Sequence, residues 1–202
     1  MIAFSDTSFF TKKNTLADVI AQESLQFRLH QALRIEDYRR LRSDFLKTQE
    51  NSRLNQDFIR QFSPGIAVFP GSFNPFHKGH YNVLQKAEKI FDKVIIAFGK
   101  NPEKDGARNW PVPAAIRNRQ IEEYYGLLTD FVQTLGEDLV VIRGLRNSTD
   151  FQYEQNQYRY MQELMPNIKI VNIFCDKEFE HISSSGIRTL EKYDRHQNYL
   201  LE

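Results

Sequence analysis

From residue 66 onward the chain alternates short apolar runs with stretches of helical period. Ile66-Ala67-Val68-Phe69, the KVIIAF run of Lys93 to Phe98, and Leu139 to Ile142 have the length and unbroken apolar character of strands buried on both faces. Ile168 to Phe174 alternates as a further strand, and Tyr124 and Tyr125 mark another over Ile121 to Tyr125. Between these runs, Val83, Leu84, Ala87, Ile90 and Phe91 fall on one helical face. A short helix is predicted over 114–120, and another over Leu127 to Leu135, stopped by Gly136. Asn147-Ser148-Thr149 open a longer helix that carries Tyr153, Met161 and Leu164 and stops before Pro166. Strand and helix in alternation predict an α/β fold, a doubly wound and mostly parallel sheet. Right-handed crossovers bring the carboxyl ends of its strands to one rim, where such sheets bind ligands.

Residues 1–63 have another texture. They contain no glycine, and Thr15 with Asp18 forms a helix-start pair. Leu16/Val19/Ile20, Leu25/Leu29/Leu33, Tyr38/Leu41/Phe45 and Leu54/Phe58/Phe62 recur at helical spacing. Two or three helices are expected there, ending before Ser63-Pro64-Gly65. The chain therefore divides into a helical extension, 1–63, and an α/β domain, 64–202. The run Arg39-Arg40-Leu41-Arg42, with acids interspersed, reads as a solvated helix face.

A formal net charge of +1 gives no electrostatic footprint for nucleic acid. The lone Cys175 excludes an internal disulfide and fits a reducing compartment. No apolar run reaches membrane-spanning length, and MIAFSDTSFFTKKN lacks the pattern of a secretory signal. The expectation is a cytoplasmic protein with no membrane partner.

Three stretches carry chemistry. His77-Lys78-Gly79-His80 sits where the first strand hands over to a helix, whose free N–H groups and dipole suit phosphate. Its plain reading is a satisfied polar turn. A metal pair is discounted, because no Cys, Asp or Glu lies at ligand spacing. Arg143-Gly144-Leu145-Arg146 closes another strand with two guanidinium forks suited to phosphate oxygens. Asp150 and Glu154 lie close enough to pair with those arginines instead. Ser183-Ser184-Ser185, with Arg188 one turn on, offers hydroxyls and N–H groups at a third helix start; a plain cap is the alternative. Lys100 and Lys104 follow the second strand, and by themselves read as surface lysines.

PGSFNPFHKGH, RGLRNSTDFQYE and KEFEHISSS together resemble the bacterial phosphopantetheine adenylyltransferases over about residues 66–188. The resemblance implies a Rossmann-like nucleotidyltransferase that moves AMP from ATP to 4'-phosphopantetheine, releasing pyrophosphate and dephospho-coenzyme A. It implies that His80 stabilises the transition state and that Ser72 contacts both substrates. Lys104 and Arg143 would hold the acceptor phosphate, with a contact from Leu128. Phe73, His77, Gly144, Leu145, Arg146 and Glu154 would meet ATP, and Phe179, Glu180, His181, Ile182 and Ser183 to Ser185 would close over it. Arg146 joins His80 and Lys104 in the catalytic set. The resemblance further implies magnesium delivered with ATP and no dedicated protein metal site. It implies an assembly of identical chains, a hexamer in the family, with feedback by coenzyme A. Three features depart from the family: a short stretch between Lys104 and Ile121, Phe179 in place of tryptophan, and the extension before residue 64. The rival readings are an adenylyltransferase acting on nicotinamide mononucleotide and a non-catalytic nucleotide-binding scaffold.

Overall fold

A computed structural model describes residues 35–37, 39–40, 43, 65–100, 110–136 and 139–201. The helices expected over Thr15 to Leu33 and Leu54 to Phe62 lie outside the described residues. So do Tyr38, Leu41 and Phe45, although the described residues among 35–43 are helical.

Five strands form one parallel sheet: β1 (Ile66–Gly71), β2 (Lys93–Lys100), β3 (Ile121–Tyr125), β4 (Leu139–Leu145) and β5 (Lys169–Phe174), in the order β3-β2-β1-β4-β5. Among the described residues from 65 onward, the helices α1 (Lys78–Glu88), α2 (Leu128–Leu135), α3 (Ser148–Leu164) and α4 (Ser184–Glu191) accompany them. The doubly wound expectation holds. The central strands read as continuous apolar runs because helices cover both faces. Ala67, Phe69, Ile96 and Ile142 meet Val83, Leu84 and Ala87 of α1 on one face. Val68, Ile95 and Val141 meet Val132 of α2 and Met161 of α3 on the other.

Ile35 joins that second face, 3% exposed. Nearby, Arg39 Nη2 donates to the Leu135 carbonyl at 2.9 Å, at the end of α2. Lys93 is buried at the start of β2; burial lowers its ammonium to about 8, while Asp37 and Glu88 act in the opposite sense. The extension thus reaches the α/β core at the strands' amino ends.

Two local expectations need correction. Only Ala114–Ile116 of the predicted 114–120 helix forms, as a single 3₁₀ turn, with Ile116 as its buried residue. Ile90, expected on the apolar face of α1, is 50% exposed. The helix stops at Glu88, so Ile90 lies in the following turn and no longer follows the helical period. α3 carries Tyr153, Met161 and Leu164 as expected, with Met161 buried and the other two exposed.

The register creates the crevice. β1 stays paired with β2 to Gly71↔Phe98, and β4 with β5 to Leu145↔Phe174. β1 and β4, however, pair only over Ile66↔Leu139, Ala67↔Val140 and Val68↔Val141. Beyond Val68 they part, at the point where strand order reverses. Pro70, which has no N–H to give, lies past that point.

Candidate active site

The gap between the parted ends of β1 and β4 is a cavity of about 610 Å³. Three helix starts border it: His77 to His80 of α1, Thr149 and Asp150 of α3, and Ser183 to Ser185 of α4. Each start is capped by a side chain. Asn147 accepts the Asp150 N–H at 3.0 Å, and Ser183 Oγ accepts the Gly186 N–H at 3.0 Å. Close backbone approach requires glycine at two points. A Cβ on Gly71 would stand 2.7 Å from the Phe73 ring, and one on Gly144 would stand 3.3 Å from both Val83 methyls.

The α1 cap is built from two histidines. His77 Nδ1 accepts the His80 N–H at 3.4 Å, and His80 Nδ1 accepts the His77 N–H at 3.3 Å. Their rings stack at 3.6 Å, 22° from parallel. Each Nδ1 is therefore an acceptor, so a neutral ring carries its hydrogen on Nε2. Neutral is the favoured form. Burial, with Arg146 nearby, lowers His77 to about 4. Burial first, then His77 and Arg146, push His80 well below the usual imidazole value. The result is an uncharged ring with an N–H donor. Phe73 and Phe76 hold the His80 ring from the other side, with centroids at 4.9 and 5.4 Å. Phe73 itself has φ +43°, a conformation costly for a non-glycine residue, and its ring is buried against Phe69, Phe76 and Phe98.

Both arginines of the RGLR turn pair with carboxylates on α3. Arg143 Nε and Nη2 reach Glu154 at 2.5 and 2.7 Å. Arg146 Nε and Nη2 each reach Asp150 at 2.8 Å, and its main-chain N–H adds a third bond at 3.0 Å. Burial disfavours the Asp150 carboxylate, but the Arg146 bonds outweigh this and hold its carboxyl below the usual value. The alternative of paired arginines is thus realised, inside the cavity. Pairing leaves N–H groups on both forks, since each guanidinium has five. Across the cavity, Ser184 Oγ donates to the Pro75 carbonyl at 3.0 Å and Arg188 Nη1 to the Asn74 carbonyl at 2.5 Å. These bonds tie α4 to the loop that leaves β1.

Ser72, Phe73, His77, His80, Arg143, Gly144, Leu145, Arg146, Glu154 and Ser183 to Ser185 all line the cavity. Lys104 lies outside the described residues. Leu128, Phe179, Glu180, His181 and Ile182 are not in the lining. Leu128 opens α2 and packs on the second face of the sheet, while Phe179 packs against the first. Ile182 is buried, and its carbonyl accepts from Arg146 Nη1 at 3.4 Å, so this stretch meets the site through main chain. The His181 ring stands edge-on to Tyr199. Cys175, Thr149 and Tyr153 also line the cavity. Cys175 directly follows β5, so its place at a strand's carboxyl end was the available signal. Among the described residues no group of three or more His, Cys, Asp or Glu is arranged to hold a metal ion.

The Cytidylyltransferase-like family profile matches residues 68–190. A phosphopantetheine adenylyltransferase of Levilactobacillus brevis is 34% identical over 136 residues, covering 63% of this chain and 84% of the relative. Proteins of the same name are similar in Mycoplasma capricolum subsp. capricolum, at 36% over 145 residues (64% and 99%), and in Cytophaga hutchinsonii, at 37% over 139 residues (64% and 91%).

Proposed function

Because the chain belongs to the cytidylyltransferase-like family and, within it, to the phosphopantetheine adenylyltransferases, we propose a division of labour among its cavity residues. The reaction joins a phosphate oxygen of 4'-phosphopantetheine to the α-phosphorus of ATP and releases pyrophosphate. The nucleophile is already an anion, so catalysis is positioning and charge stabilisation rather than base chemistry. The neutral His80 donates its Nε2–H to an α-phosphate oxygen as charge builds there. The spare N–H groups of Arg146, with the α4 start at Ser183 to Ser185, take the remaining triphosphate oxygens. Arg143 and Lys104 hold the acceptor phosphate. Ser72, which follows β1 and lines the cavity, contacts both substrates in this reading.

The observation that carries this reading is the convergence of the HKGH, RGLR and serine turns on one cavity. A nucleotidyltransferase works with a divalent cation, and in this reading magnesium enters with ATP as part of the Mg·ATP substrate. Asp150 and Glu154, the carboxylates in the lining, are each engaged by an arginine, and no step passes through a protein-held metal. Assembly into identical copies, coenzyme A feedback and a cytoplasmic setting belong to the same reading. Sedimentation is the first check on assembly.

The test is pyrophosphate release with two acceptors. Turnover with phosphopantetheine and none with nicotinamide mononucleotide supports the reading; the reverse preference overturns it. His80→Ala should lose about 10²–10³ in turnover while calorimetric ATP binding persists. Near-normal turnover in that variant removes His80 from its role.

A further inference from the structure

The residues after α4 touch the site's scaffold without touching the cavity: no lining residue lies beyond Arg188. Gln197–Tyr199 forms a single 3₁₀ turn, and Leu200 then pairs its main chain antiparallel with His77. Lys78 Nζ donates to the Asn198 carbonyl at 2.7 Å. Leu201 packs against the first-face core. The Tyr199 ring stands edge-on to His181 at 5.9 Å, and His196 edge-on to Trp110 at 5.6 Å. One short segment therefore bridges Trp110, the HKGH turn and the connection before Ser183.

Its attachment point matters. His77 fixes His80 twice, through the reciprocal Nδ1 bonds and through ring stacking. Any tilt of the His77 main chain is passed to His80 Nε2. Within α1 that main chain is held by the Tyr81 N–H on its carbonyl, at 3.0 Å. The pairing with Leu200 holds it from outside the turn.

We propose that Gln197–Leu201 is a strap that positions His80 for adenylyl transfer, acting through His77 and Lys78 without contact with either substrate. This rests on the adenylyl-transfer reading above. A misplaced donor affects the transition state more than ground-state binding, so the strap is expected to govern kcat rather than KM.

The test uses the full chain with Leu200→Pro, which removes the N–H that closes the 3₁₀ turn on the Gln197 carbonyl and, by disfavouring the helical backbone of Tyr199, unseats the segment from His77, and Lys78→Met, which keeps the stem and removes the donor. Leu200→Pro should lower kcat by about tenfold or more, with both KM values within roughly twofold of the parent. ¹⁵N spectra should show His80 as the Nε2–H tautomer in the parent and as a tautomer mixture in Leu200→Pro. Lys78→Met should show a smaller loss of kcat, restored in Lys78→Arg. A folded Leu200→Pro with parental kcat, or with KM raised at unchanged kcat, overturns the proposal. Should Leu200→Pro fail to fold, the Lys78 pair decides, and equal kcat in Lys78→Met and the parent overturns it. A parent chain without turnover would sink the adenylyl-transfer reading instead, and the tautomer comparison would still decide the strap.

Discussion

Two arginine–carboxylate pairs in this molecule are nearly alike as pairs and differ in what remains. Arg119 grips Glu88, at the end of α1, through Nε and Nη2 at 2.8 and 3.1 Å. Arg143 grips Glu154 in the cavity at 2.5 and 2.7 Å. Side-chain exposure is similar, 21% and 21% against 19% and 14%. Arg119, however, also donates through Nη1 to the Ala115 carbonyl and the Asn118 side chain. Its donors are consumed by protein. Among the described residues Arg143 is hydrogen-bonded to Glu154 alone, and it lines the cavity with N–H groups to spare. On the proposed reading, what sets Arg143 apart from Arg119 for binding is its unspent donors and its place at the parted strands, not its ion pair.

The sharpest way to break this contrast is Arg143→Met. We expect a loss of about 10² or more in kcat/KM for phosphopantetheine, with thermal unfolding little changed, since its carboxylate partner lines an open cavity. Steady-state kinetics beside calorimetry would check this. An Arg143→Met protein that melts early but turns over normally would put the residue with Arg119.

Acid comes next, because it separates both ion pairs from the histidines. The folded imidazole value is about 4 for His77 and well below 6.5 for His80, while an unfolded histidine titrates near 6.5. Below 6.5 the unfolded chain therefore binds protons that the folded chain refuses. Stability from this source is complete above pH 6.5 and falls as pH drops toward 4, by up to about 1.4 kcal/mol per pH unit for each histidine. The arginines stay charged across that window, and Arg146 keeps Asp150 ionised below its usual value. Denaturant titrations at pH 7, 6 and 5 should show the slope in the parent and, unchanged in shape, in Arg119→Met. A flat profile would mean the two rings charge without cost.

The smallest effect belongs to Arg119→Met itself. It should cost about 1 kcal/mol of stability, read from denaturant midpoints, and leave turnover within roughly twofold of the parent. A larger loss of turnover would show that the far pair supports the site.

The strands and the three turns were legible because their signals are local. An apolar run of strand length reports burial on two faces, and a cap residue beside it reports a helix start. Ile66 to Phe69, His77 to His80, Arg143 to Arg146 and Ser183 to Ser185 all have that character. The saturation of Arg119 was not legible, since its partners lie on separate elements and Arg119 and Arg143 look alike as letters. The strap was invisible for a related reason. HQNYLL has no period, and its contacts with the HKGH turn join residues 120 or more positions apart, as Lys78 with Asn198 and His77 with Leu200. Ile90 misled because periodicity continues past a helix whose backbone has ended at Glu88. Leu128 entered the site by resemblance alone, and its side chain lies on the second face of the sheet.

Ile35 has a practical consequence for anyone who clones this protein. An expression boundary drawn from the matched region, residues 68–190, would discard a buried side chain of the second-face cluster that also holds Val68, Ile95 and Leu139. It would also uncap α2 by removing Arg39. The shortened polypeptide would keep every described residue that lines the cavity and yet lack part of the apolar packing beneath its sheet.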